Sequence, residues 1–167
     1  HFPLHPETPQ DGMTLDELFA GRNIDLPAAQ ECMTRLMREE GLPYGTRTHT
    51  FNSRSAQELA AWAVTQSEGA GIHDALFRAY FVDGRNIAER DVLLNVVSSI
   101  GLSSAEAEGV LDSRSHRDIV DADWAESRQL GITGVPTFVA GNQGVAGAQP
   151  FEILEQVAIR AGATRSE

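Results

Sequence analysis

The 167 residues carry 24 acidic and 13 basic side chains, a formal charge of −11, and are 41% hydrophobic and 22% charged. That apolar share can fill a core, which excludes a disordered chain, and the lack of any basic run argues against a nucleic-acid partner, whose phosphates demand clustered positive charge. No apolar stretch approaches the roughly 20 residues a membrane helix needs, and the one cysteine, Cys32, cannot form an internal disulfide.

The chain begins HFPLHPETPQDG, where Pro3, Pro6 and Pro9 keep a helix out and His1 to Leu4 read as the end of a strand. In TLDELFAGR, Thr14 and Glu17 have the spacing of a capping box, and the short helix stops at Gly21. DLPAAQECMTRLMREEGL is a second helix, with Asp25 as cap, Pro27 in the first turn and Gly41 past the end. Met33, Leu36 and Met37 lie on one side of it. PYGTRTHTFN is loop or extended chain.

NSRSAQELAAWAVTQSEG predicts a strong helix capped by Asn52 or Ser53, with Leu59, Trp62 and Ala63 at helical spacing. GIHDALFRAYFVDGR continues with Ile72, Leu76, Ala79 and Tyr80 as a buried stripe. NIAERDVLLNVVSSIGL places Val92, Leu93, Val96, Val97 and Ile100 on one face and stops at Gly101. Ser103 and Glu106 suggest a further capping box, and SHRDIVDADWAESRQLGI a helix ending at Gly131.

Strands follow only then. PTFVAG and NQGVAGAQ read as a hairpin from about Thr137 to Val145, and PFEILEQVAIRAGA as a closing helix opened by Pro150. Two short strands alone are marginal in water, so the hairpin is expected to pair with other strands. His1 to Leu4 is the one further strand candidate.

The residues quoted carry a family resemblance. GITGVPTFV followed by GAQP and a terminal helix resembles the end of a DsbA-type thioredoxin-fold protein. HFPLHPETP, FNSRSAQELAAWA and VAGAQPFEIL narrow it to the FrnE-like branch of DsbA-family oxidoreductases, over essentially the whole chain. The resemblance implies an α/β thioredoxin-like fold with a large helical insertion. Residues 1–11 and 116–167 would form the thioredoxin-like part and 12–115 the insertion. These oxidoreductases carry Cys-x-x-Cys on a first β–α unit ahead of the region that His1 to Leu4 resembles. The chain therefore looks like a member without that unit, and Cys32 does not match the nucleophile's position.

The function implied is thiol–disulfide exchange on a disulfide-containing protein or a small-molecule thiol, with the catalytic dithiol outside these residues. From the residues alone, Pro136 is a trans proline opening an edge strand; the resemblance implies a cis Val135–Pro136 bond and makes Pro136 the catalytic-loop residue. Val135 would then offer its backbone to an extended substrate, with Gly134 permitting close approach and Thr137 beside it. Asn52 would border the groove, against the plainer reading of a helix cap. No cofactor is implied, except glutathione under an alternative reading as a kappa-class glutathione transferase or 2-hydroxychromene-2-carboxylate isomerase. A further alternative is a non-catalytic binding module or a domain-swapped homodimer, favoured by an exposed sheet edge. A cytoplasmic location is the expectation from the unpaired cysteine.

His1, His5 and Glu7 fit no defined metal-site spacing, so no metal is expected. His116 with Asp118, Asp121 and Asp123 reads as a solvated helix face. Trp62, Trp124, Tyr80 and Phe81 read as core packing rather than a ligand box.

Overall fold

A computed structural model describes residues 1–164. The chain divides into two compact units, one spanning Pro3–Asp121 and a second from Ala122 onward.

In the first unit β1 (Met13–Thr14) leads into α1 (Leu15–Leu18), α2 (Leu26–Glu39), β2 (His49–Thr50), α3 (Arg54–Ala63), α4 (Ile72–Phe77), α5 (Arg90–Ser99) and α6 (Ser104–Ser113). The capping box of α1 forms: Thr14 Oγ1 accepts from the Glu17 amide at 3.1 Å and the Glu17 carboxylate accepts from the Thr14 amide at 2.8 Å. Asp25 caps α2 through the Ala28 amide at 3.0 Å. The box at α6 is half made: Ser103 Oγ accepts from the Glu106 amide at 3.3 Å, and the return bond is absent.

The core lies where α3, α4, α5 and α6 meet, with Leu59, Ile72, Leu93 and Val97 fully buried among Trp62, Leu76 and Val96. Each apolar side chain buried there contributes about 1.5–3 kcal/mol. The helix over Ile72 changes pitch at its end. Arg78–Val82 is π-helical, a widened turn that the apolar spacing of the sequence does not announce. Ala79 stays in the core and Tyr80 packs against it, though Tyr80 and Phe81 are themselves only half-buried.

Two strand expectations are also corrected. His1 to Leu4 is not a strand. The segment after it turns, with the Thr8 amide on the His5 carbonyl at 3.1 Å, and is tied down by a side chain, Asn52 Nδ2 donating to the Thr8 carbonyl at 2.8 Å. The strand partners in this unit are instead β1 and β2, antiparallel, with Met13 opposite Thr50. Nor does the hairpin pair with a further strand: among the described residues it is a two-stranded sheet by itself.

α7 (Arg117–Gln129) crosses from the first unit into the second, which then contains β3 (Thr137–Ala140), β4 (Gln143–Ala146) and α8 (Phe151–Arg160). β3 and β4 are antiparallel, Phe138 facing Val145 across the ladder. Their two-residue connection begins with Gly141 at φ 59°, the conformation that tight hairpin turns with glycine first require. α8 packs on both strands. No helix among the described residues is long and apolar enough to cross a membrane.

Candidate functional site

The loop between α7 and β3 is set from both ends. At its start the Gly131 amide donates to the Arg128 carbonyl at 3.1 Å and the Ile132 amide to the Ser127 carbonyl at 2.9 Å. Gly131 stands at φ 67°. This is the Schellman closure, in which a left-handed residue lets the chain turn off the helix and satisfies two otherwise orphaned carbonyls. At the loop's end the Gly147 amide donates to the Pro136 carbonyl at 2.8 Å and extends the hairpin ladder past β4.

Between these anchors lie Gly134, Val135, Pro136 and Thr137, which the structure brings together. The Val135–Pro136 peptide bond is cis. Thr137 Oγ1 donates to the Gly134 carbonyl at 2.7 Å, so the side chain that opens β3 also braces the turn before it. Val135 is 51% exposed. Among the described residues neither its N–H nor its carbonyl has a hydrogen-bond partner. A Cβ built on Gly134 would meet nothing within 4 Å. Two free backbone groups beside open space can take an extended segment by main-chain pairing, the geometry of strand addition. A cavity of ≈ 350 Å³ borders the ribbon, lined among others by Ile132, Thr133, Thr137 and Val139.

Asn52 belongs to the first unit. Its amide donates to Thr8 and, at 3.4 Å, to the Pro6 carbonyl, while its Oδ1 accepts from the Arg54 amide at 2.9 Å. These bonds give it a structural task at the start of α3, where Ser53 stands at the N-cap without capping a backbone amide, its Oγ instead accepting from Gln57 Nε2 at 2.9 Å. Cys32 is exposed on α2, with an Arg35 guanidinium nitrogen 3.7 Å from its sulfur. His5 faces Glu7 at 3.6 Å and His116 bonds Ser115 at 3.0 Å. Among the described residues no group of three or more His, Cys, Asp or Glu could hold a metal ion.

Sequence reasoning missed two charged clusters in the first unit: the one around Glu58, and Arg47 stacked on Tyr80 and Phe81. A polar residue inside the alanine-rich stripe of α3 was the signal for the former. The latter joins residues 33 positions apart and leaves no local pattern.

The family model described as DSBA-like thioredoxin domain matches residues 1–158. The probable DsbA oxidoreductase SCO1869 from Streptomyces coelicolor is 30% identical, with a TM-score of 0.81 over 97% of this chain and 74% of that one. A 2-hydroxychromene-2-carboxylate isomerase shares the fold at 19% identity and a TM-score of 0.69, over 81% of this chain and 66% of that one. The uncharacterized protein YwbO of Bacillus subtilis (strain 168) is 26% identical over 96 residues, 57% of this chain and 48% of that protein. The chain thus spans about half the length of this curated relative.

Proposed function

Because the chain belongs to the family of DSBA-like thioredoxin domains, whose fold it shares, we propose that it acts in thiol–disulfide exchange, in the FrnE-like branch. The loop Gly134–Thr137 holds the extended, disulfide-bearing segment of a protein or small-molecule substrate. The observation that carries this reading is Val135, exposed, with both backbone groups unpartnered at the mouth of β3. Exchange requires a thiolate attacking one disulfide sulfur and expelling the other as thiolate. The 167 residues contain no Cys-x-x-Cys, and Cys32 is not on the loop, so these residues supply the docking of the substrate and not the attacking dithiol.

The test is amide NMR of the ¹⁵N-labelled chain, titrated with an extended peptide containing an S-methylthio cysteine. Saturable shifts confined to Gly134, Val135 and Thr137 are expected. Absence of shifts at Val135 at peptide concentrations of about 1 mM, a free energy near −4 kcal/mol, would sink the reading. In an insulin-reduction assay the chain should not exceed the reductant blank, and Cys32→Ser should change nothing.

A further inference from the structure

We propose that the first unit holds a binding site for a small carboxylate with an apolar body, with Arg47 as its anion-binding residue. The cavity measures ≈ 320 Å³ and is walled by Leu15, Leu18, Phe19, Leu26 and Met33 from α1, α2 and the loop between them. That size is at the lower end of small-ligand sites, about 300–1,000 Å³, which combine apolar walls with a few fixed polar groups.

The fixed polar group is Arg47. Its guanidinium carbon lies 4.7 Å from the Tyr80 ring centroid and 5.1 Å from that of Phe81, and one terminal nitrogen donates to the Tyr80 hydroxyl. Its carbonyl accepts from Gln30 Nε2 at 2.7 Å, which ties its backbone to α2. Both aromatic rings belong to the π-helical turn, and the Gly45 amide holds that turn by donating to the Phe81 carbonyl at 2.8 Å. Stacking of this kind pre-organises the planar fork of an arginine without using up its donors.

No acid neutralises it. Arg35, Arg54, Arg78, Arg90, Arg114 and Arg117 pair with carboxylates; among the described residues the half-buried Arg47 and Arg85 pair with none, and of these two it is Arg47 that lines the cavity. Its Nε is sealed from solvent without an acceptor. In a chain with 24 acidic residues, a half-buried cation lacking a carboxylate is an incomplete pair, and a buried charge is stable only when paired. An acid from solution completes it, and the apolar walls select acids that carry a hydrocarbon body. None of Gly134, Val135, Pro136 and Thr137 lines the cavity, so this site is separate from the thiol–disulfide reading.

The experiment is calorimetric titration of the 167-residue chain with 1-naphthaleneacetate and with its neutral analogue 1-naphthaleneethanol. Saturable 1:1 binding of the carboxylate is expected, at least about tenfold tighter than the alcohol, as a charge-assisted bond to a guanidinium implies. Arg47→Met, which keeps an apolar stem, should erase the difference between the two probes. Ala29→Trp, at an exposed position of the cavity rim, should abolish binding of both; it carries the test if circular dichroism shows that Arg47→Met does not fold. Equal affinity for the two probes, no saturation by about 1 mM, or unchanged binding in a folded variant would overturn the proposal.

Discussion

Glu58 and Arg114 stand 56 positions apart and meet through two parallel bonds, Arg114 Nε on one carboxylate oxygen at 3.2 Å and a terminal nitrogen on the other. Glu58 is 3% exposed, the most deeply buried acid of the first unit's core helices, and Arg54 grips the same carboxylate from one turn earlier in α3. Arg54 in turn reaches Asp121 at 2.7 Å, so the cluster joins α3, the end of α6 and the start of α7.

Burial pushes the Glu58 carboxyl up, but the hydrogen bonds from Arg114 and Arg54 outweigh it and hold the group below its ordinary value of 4.5. A carboxyl with a depressed folded pKa stabilises the protein fully above the unfolded value, and that contribution fades as pH falls through the folded one. Glu58→Gln should therefore cost about 2–3 kcal/mol at pH 7. The gap between variant and wild type should narrow as pH falls below about 4.5. Urea unfolding at a series of pH values measures it; a gap independent of pH would contradict the assignment.

Among the described residues Arg114 is one of two non-glycine residues with positive φ, at 50°. It caps α6 in the left-handed region, where a Cβ costs about 1 kcal/mol relative to glycine. Arg114→Ala should lose the bonds to Glu58 and keep that cost. Arg114→Gly should lose the bonds and relieve it. Thermal denaturation should then rank wild type above Arg114→Gly, with Arg114→Ala about 1 kcal/mol lower still.

At Gly45 the reason for glycine is space. A Cβ there would run into the Val82 carbonyl of the π-helical turn, which is backbone and cannot swing away. Gly45→Ala should destabilise the first unit by about 1–3 kcal/mol, visible as a lowered denaturation midpoint. A neutral substitution would mean that the turn can move.

On the loop proposed to dock the substrate, Thr137→Val keeps the shape of the side chain and deletes its bond to the Gly134 carbonyl. A net hydrogen bond is worth about 1 kcal/mol, so peptide affinity in the NMR titration should fall by about three- to tenfold. Unchanged affinity would show that the brace does not shape the docking surface.

The helices were legible because their punctuation is local. Thr14 with Glu17, Asp25 with Ala28 and Gly131 each announce a boundary within four residues. β1 and β2 were not, because two residues cannot show an alternation. The π-helical turn hides for a related reason: widening one turn leaves the apolar spacing before it intact, and only the exposure of Tyr80 and Phe81 reveals it. The loop before β3 was readable as GVPT, whereas the Thr137 brace and the Gly147 bond depend on how the chain folds back. Arg47 shows the limit most clearly, since an arginine among threonines reads as surface until Tyr80 arrives beside it.

The ribbon that presents the loop has no interior of its own. From Ala122 to residue 164, Ser127 is the one buried side chain, and Phe138, Val139 and Phe151 are 40%, 50% and 71% exposed. Amide protection follows what must be unburied for a bond to open. Deuterium should therefore enter at Phe138 and Val145, which face each other as a hydrogen-bonded pair of the ladder, orders of magnitude faster than at Leu59 and Val97. The two ends of one chain would report as different materials: a slow-exchanging helical body, and a hairpin whose ladder opens on the timescale of a local fluctuation.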